Sequence, residues 1–244
     1  MNLFDRFTGK DLFIRPKLEF APTWRVAYGK VDAIAEDAAW RDDEVAFFLT
    51  DSSQIGFSQT ERLVVVGDVW LSNRVNLIEK LGIATDSYHG SDRELVAEVW
   101  SRWGVESLHL FLGMFGLVIW DCDRQVLWVA RDAIGARTIY YTNSGSTRWI
   151  APRLKTLAAY RSNDLDLVAL RDYLACAFVP GERTLWQQIR ELRPGTIIQF
   201  PDEKVKVYWQ VKERIGNVDR SLAWHGDRLR VLLDRVVQEY LPPA

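Results

Sequence analysis

Cysteine is scarce in this chain: of 244 residues, only Cys122 and Cys176 carry a thiol. Two isolated thiols cannot build a disulfide framework, and neither has the spacing of a zinc motif. Histidine is almost as rare. His89, His109 and His225 lie far apart with no Cys or acid at ligand spacing, which argues against a metal site. No apolar run approaches the ~18 residues of a membrane span. The opening stretch, MNLFDRFTGKDLFIRPK, mixes Asp and Lys into its apolar positions and so lacks a signal-peptide core. Charge of one sign is also missing, with 31 Lys+Arg against 33 Asp+Glu and a net of −2. No block of like charge calls for nucleic acid or an anionic membrane. These absences point to a reducing cytoplasm. No Gly-rich phosphate loop occurs either, so ATP and Mg²⁺ are not expected to bind within this chain.

What the chain has is apolar mass. Hydrophobic residues make up 48%, with eleven Trp and eleven Phe. That suffices for one large domain, or for one domain and a fragment of another. Residues 1–43 give little pattern beyond short strand candidates at Leu12 to Ile14 and Trp24 to Tyr28. From Glu44 the signal sharpens. EVAFFLT and RLVVVGDVWL read as buried strands, and Gly67 in the second marks a bulge or a close approach. Val75, Leu77, Ile78 and Leu81 keep helical spacing before Gly82. Ser91-Asp92-Arg93-Glu94 is a capping box, with Leu95, Val96, Val99, Trp100 and Trp103 on one side of the helix it opens.

Strands are expected at Met114 to Trp120 and Val126 to Arg131 around the turn Asp121 to Arg124. Further strands fall at Thr138 to Thr142 and Arg148 to Ala151 around Asn143 to Ser146. Leu154 to Tyr160 and Leu167 to Ala175 read as helical. The last strands are Thr196 to Phe200 and Lys204 to Trp209. Beyond Gly216-Asn217, the residues Leu222, Leu229, Leu232, Leu233, Val236, Val237 and Tyr240 recur at three- and four-residue steps, an amphipathic helix stopped by Pro242-Pro243. Neighbouring hairpins with helices grouped between them favour an α+β fold.

Several pieces then fall into a known order. They are Val66-Gly67-Asp68-Val69-Trp70, Gly90-Ser91-Asp92-Arg93-Glu94, Leu112-Gly113-Met114-Phe115-Gly116, Trp120-Asp121, and Arg131-Asp132 with Gly135 and Tyr140-Tyr141. Gly181 to Trp186, Ile189 to Gly195 and Tyr208-Trp209 complete the series. Over residues 60–240 the chain resembles the N-terminal glutamine amidotransferase type 2 domain of the asparagine synthetase family. The resemblance implies a four-layer αββα sandwich of two antiparallel sheets, as in N-terminal-nucleophile (Ntn) hydrolases. It implies a glutaminase-like domain over residues 1–215 and a linker helix over 216–244 at the start of a synthetase (ATP-pyrophosphatase) domain.

The resemblance also sets expectations for the chemistry. The family's nucleophile is an N-terminal Cys whose α-amine, with a pKa of about 7.7–8.0, acts as its base. This chain begins Met1-Asn2-Leu3, so no catalytic residue is assigned. Cys122 and Cys176 are read as small apolar packing residues. Gly67 and Asp92 are the candidate glutamine-binding residues, through an oxyanion-facing amide and an ammonium-facing carboxylate. Where the family has an Asn before the Gly, this chain has Val66. Removing one oxyanion donor typically costs ~10²–10³ in rate. A bland role for Asp92, stabilising the helix dipole, competes with the binding role. No Arg in residues 44–60 stands for the family's carboxylate-holding Arg. Arg131 and Asp132 are read as holding a turn.

The expected whole is a glutaminase-like domain impaired in glutamine hydrolysis, the N-terminal half of an ATP-dependent amide-forming enzyme of asparagine synthetase, β-lactam synthetase or peptide cyclase type. Its partner would be a synthetase-type ATP-binding domain or chain, which would hold ATP and Mg²⁺. The alternatives are an active glutaminase supplying ammonia to a partner synthetase, and a non-catalytic module docking through its C-terminal helix.

Overall fold

Alternating side chains along the strands sort this chain into layers. A computed structural model describes residues 23–31, 36–211 and 220–240. The strands are β1 (Trp24–Gly29), β2 (Trp40–Asp42), β3 (Val45–Leu49), β4 (Ile55–Phe57), β5 (Leu63–Leu71), β6 (Gly113–Asp121), β7 (Val126–Arg131), β8 (Tyr140–Ser144), β9 (Thr147–Ala151), β10 (Ile189–Glu191), β11 (Thr196–Phe200) and β12 (Lys204–Val207). The helices are α1 (Arg74–Leu81), α2 (Asp92–Trp103), α3 (Leu167–Cys176) and α4 (Leu222–Tyr240). Two six-stranded antiparallel sheets result, one in the order β10-β8-β9-β1-β3-β2 and the other β12-β11-β7-β6-β5-β4.

On β5, Leu63 and Val65 point to α1 and α2, while Val64 and Val66 point to the space between the sheets. On β6, Leu117 and Ile119 go one way, Val118 and Trp120 the other. Both faces are covered, so the strands read as continuous apolar runs. Trp24, Val26, Phe47 and Ile150 fill the inter-sheet layer from the other sheet. Outside that sheet, Ala46, Phe48 and Trp149 meet the 3₁₀ segment Leu154–Tyr160, whose Tyr160 ring stacks on Trp149 at 3.7 Å. The expected α+β sandwich of two antiparallel sheets is therefore present. Its outer layer on this side rests on the 3₁₀ segment, since of α3 only Ala169 is buried.

Some boundaries shift. The β8–β9 hairpin pairs Ser144 with Thr147, so its loop is Gly145-Ser146 rather than Asn143 to Ser146. Gly145 at φ +62° supplies the left-handed conformation that a two-residue loop requires. Strand β8 also begins at Tyr140, because the Thr138 hydroxyl donates to the Pro152 carbonyl at 2.8 Å. The short strands β2, β4 and β10 carry too few residues to show a period. Of the four apolar residues at helical spacing in α1, Leu77 and Ile78 are buried and Val75 is 54% exposed. The candidate strand Leu12 to Ile14, the 215/216 boundary and Pro242-Pro243 lie outside the described residues.

Helix α4 keeps its amphipathic pattern with none of its residues buried. Its Tyr240 ring lies 4.5 Å from that of Trp70.

Candidate functional site

The end of β5 is where the sequence places its candidate residues. Val66 is fully buried in the inter-sheet core and offers no polar donor there. Gly67 follows at φ +157°, opposite Leu117 of β6, and a Cβ at this position would run into the Gly116 carbonyl. Its glycine is thus explained by cross-strand approach, whatever else its amide does. Strand β4 pairs with β5 only as far as Val66. Beyond it the first turn of α2 takes over, and Arg93 Nε donates to the Gly67 carbonyl at 2.7 Å.

Helix α2 starts as expected. The Ser91 hydroxyl accepts from the Glu94 amide at 3.3 Å, and the Ser91 amide donates back to Glu94 Oε2 at 2.5 Å. Asp92, the first helical residue, is fully engaged. Its Oδ2 accepts from the Leu71 amide at 2.9 Å, and its Oδ1 pairs with Arg74 Nη1 at 2.6 Å. Arg74 also donates to the Gly90 carbonyl and lies over the Tyr88 ring. Asp92 therefore clasps the end of β5 to the start of α2. Arg93, the next residue, connects the two candidates by touching Gly67 and sharing the field of Asp92.

Sequence reasoning passed over the neighbouring charges. Asp68 has the same strand parity as Val64 and Val66 and faces between the sheets, opposite Gly116. Burial pushes its pKa up, against the opposing pull of Arg137, Arg93 and Arg153. Burial likewise pushes the Arg93 guanidinium down, offset by Asp68, Asp92 and Asp51. One signal was in the sequence: an acid at a core-parity position of an otherwise apolar strand.

The Arg131-Asp132 turn is structural, as read. The two side chains do not pair with each other. Arg131 donates to Glu191 at 2.8 Å and to the carbonyls of Leu192, Arg137 and Gly135. Asp132 accepts from the amides of Ala136 and Arg137, both at 2.9 Å, and from Phe115 at 3.3 Å. Tyr208 closes the cluster by donating to the Arg131 carbonyl at 2.6 Å.

The thiols divide. Cys122, in the β6–β7 turn, packs against the inter-sheet core, and burial followed by Asp42, Asp121 and Asp123 pushes its pKa up to about 11. Little thiolate exists there at neutral pH, so it is a poor nucleophile. Cys176 corrects the expectation, since it ends α3 exposed rather than packed. Among the described residues, no group of three His, Cys, Asp or Glu converges on a metal-sized site, and no helix is long and apolar enough to cross a membrane.

A family profile described as "Glutamine amidotransferase domain" matches residues 49–209. Asparagine synthetase (glutamine-hydrolyzing) 1 of Bacillus subtilis (strain 168) is 27% identical over 157 residues, covering 62% of this chain and 24% of that protein. Amidase chyE of Penicillium rubens is 29% identical over 126 residues, covering 50% of this chain and 18% of that protein. The chain thus spans about a quarter or less of these two relatives. The solved glutamine phosphoribosylpyrophosphate amidotransferase of B. subtilis superposes at a TM-score of 0.45 with 18% identity, covering 82% of this chain and 44% of that one.

Proposed function

The chain belongs to the glutamine amidotransferase domain family, and from that premise we propose that it is a glutaminase-like domain impaired in glutamine hydrolysis, serving as the front half of an ATP-dependent amide-forming enzyme. The observation that carries the reading is Val66. Glutamine hydrolysis on this fold passes through an oxyanion, which needs a side-chain donor beside the Gly67 amide. Val66 supplies only a methyl-bearing side chain, 0% exposed and committed to the inter-sheet core. Asp92 adds support. Its carboxylate is held by Arg74 and the Leu71 amide, so a substrate ammonium would have to compete with an existing ion pair. In this reading ATP and Mg²⁺ act in a synthetase-type half, and the amide class (asparagine, β-lactam or peptide macrocycle) is set there.

The test is direct. The purified chain is incubated with glutamine, glutamate release is measured, and intact mass is recorded on the same sample. No release above background, from a chain whose mass places no thiol or hydroxyl nucleophile at its first residue, is the expected outcome. Release well above background together with a trimmed N-terminus would overturn the reading in favour of an active glutaminase feeding a partner.

A second reading has its own observation. Along α4, Leu229, Leu233 and Val236 are 57%, 54% and 44% exposed, an apolar face suited to a protein partner. Replacing all three with Ser should abolish association with a synthetase-type chain. Unchanged association would remove α4 as the docking element.

A further inference from the structure

Arg74 is a cation where its own helix disfavours one. It is the first residue of α1, whose first turn holds no acid and whose N-cap, Asn73, makes no side-chain cap bond. A positive charge at a helix N-terminus is opposed by the helix dipole. What holds the side chain is the segment entering α2. Arg74 Nη1 donates to Asp92 Oδ1 at 2.6 Å, and its Nη2 donates to the Gly90 carbonyl. Its Cζ lies 5.3 Å from the centroid of the Tyr88 ring. A carboxylate, a carbonyl and an aromatic face on one guanidinium make a complete cation site.

The walls of this site have supports other than Arg74. Asp92 Oδ2 takes the Leu71 amide at 2.9 Å, and the capping box of Ser91 and Glu94 fixes the turn before α2. The Tyr88 ring lies against Gly90, where a Cβ would stand 2.8 Å from the phenol oxygen. The start of α1 is anchored separately. Asn73 Nδ2 donates to the Leu110 carbonyl at 2.8 Å, and its Oδ1 accepts from the Leu112 amide at 3.1 Å. Arg93, the other cation beside Asp92, donates to the Gly67 carbonyl instead. The Arg74 guanidinium is thus the removable part. Its side chain is 31% exposed and that of Asp92 17%, so the site is within reach of solutes.

We propose that Tyr88, Gly90 and Asp92 form a binding site for a small organic cation, guanidinium or primary ammonium, which Arg74 closes in cis. As a tethered occupant Arg74 has a high effective concentration, so free cations do not displace it from the parent protein. With its head removed, a free guanidinium can reproduce both hydrogen bonds. An ammonium reproduces the charge from a single nitrogen and is the weaker ligand. This role for Arg74 rests on the proposed blocking of Asp92 and not on Val66. Glutamate release tests Val66 and cation binding tests Arg74, so either fails without the other.

The probe is methylguanidinium chloride, titrated at constant total chloride into the full chain carrying Arg74→Ala, with the thermal midpoint as readout. A saturable rise is expected for Arg74→Ala and none for the parent. Methylammonium should need roughly 3- to 10-fold higher concentration for the same rise, the loss of one charge-assisted hydrogen bond. Adding Asp92→Asn to Arg74→Ala should abolish the response. Adding Tyr88→Leu should weaken it roughly 2- to 10-fold. Arg74→Lys refills the site with a tethered ammonium and should respond to neither cation. Arg62→Ala, which breaks an exposed ion pair with Asp123, should gain no response. If Arg74→Ala is unfolded without cation, saturable refolding by methylguanidinium and not by sodium chloride is the same expected result, and its failure overturns the proposal. So does the lack of a saturable rise, an equal rise in the parent or in Arg62→Ala, or a rise that survives Asp92→Asn.

Discussion

The Arg131-Asp132 turn and the surroundings of Asp68 use the same residue types to opposite ends. At the turn, every charged group is spent on the protein itself. Arg131 reaches three carbonyls and Glu191, and Asp132 takes three amides. Around Asp68, one half-buried carboxyl lies in the field of three guanidiniums, Arg137, Arg93 and Arg153, with the Trp24 indole N–H turned towards it. The two are joined through one residue. Asp132 accepts the Arg137 amide and Arg131 donates to the Arg137 carbonyl, so the hydrogen-bonded cluster fixes the backbone from which Arg137 extends. Saturation marks charge used for folding. The identity of the residues would not distinguish the two, but their partners do.

The contrast breaks most visibly at Asp132. It is 0% exposed, and Asp132→Ala would strand the amides of Phe115, Ala136 and Arg137 without an acceptor, while Arg131 keeps Glu191. A loss of about 3–5 kcal/mol is expected from urea unfolding, because three amides lose a charged acceptor at roughly 1–3 kcal/mol each, partly recovered by relaxation. Arg137→Gln, one step along the same chain, should stay within about 0.5 kcal/mol, as an exposed side chain with no hydrogen-bonded partner does. Similar losses for the two would mean that the clusters are one unit.

Gly67→Ala comes next. The added Cβ meets the Gly116 carbonyl on the neighbouring strand, and the backbone sits at φ +157°. About 2–3 kcal/mol should be lost, from overpacking plus local strain. A neutral Gly67→Ala would show that β5 and β6 can part at this point. Glycine would then be kept there for its amide rather than for clearance. Arg93→Met is milder. It keeps the aliphatic packing against Gly56 and removes the donor to the Gly67 carbonyl, so about 1 kcal/mol is expected. Chemical denaturation resolves both.

Much of the frame was legible because it repeats. Strands β5 to β7 are buried on both faces and read as apolar runs, and α2 carries a capping box that the structure reproduces bond for bond. The clasp at Asp92 was half legible. Its place at the first turn was clear from Ser91 and Glu94, but Arg74 as its partner comes from a different helix. The surroundings of Asp68 were hardly legible at all. Asp68, Arg93, Arg137 and Arg153 come from β5, α2, the segment before β8 and the segment after β9, and no spacing in the sequence links them. Only Asp68 betrayed itself, as an acid on the inter-sheet face of β5. Cys176 was misread for the complementary reason. Helical spacing located α3, but nothing in that spacing says that its C-terminal end lies exposed.

The smallest expected effect is also the one whose sign is most informative. Burial raises the Asp68 pKa in the folded protein, so folding favours its protonated form. The stability it contributes is complete below the ordinary carboxylate pKa near 3.9. It is lost as pH climbs from there through the raised folded value. Asp68→Asn removes that titration, so the variant should gain on the parent over this interval and hold a constant advantage above it. Asp166 provides the opposite sign. The Ala169 amide and then Arg183 lower its pKa, so Asp166→Asn should lose ground to the parent as pH rises through the lowered folded value to the ordinary one near 3.9, and hold that deficit above it. Thermal midpoints of the three proteins between pH 3 and pH 8 read both trends.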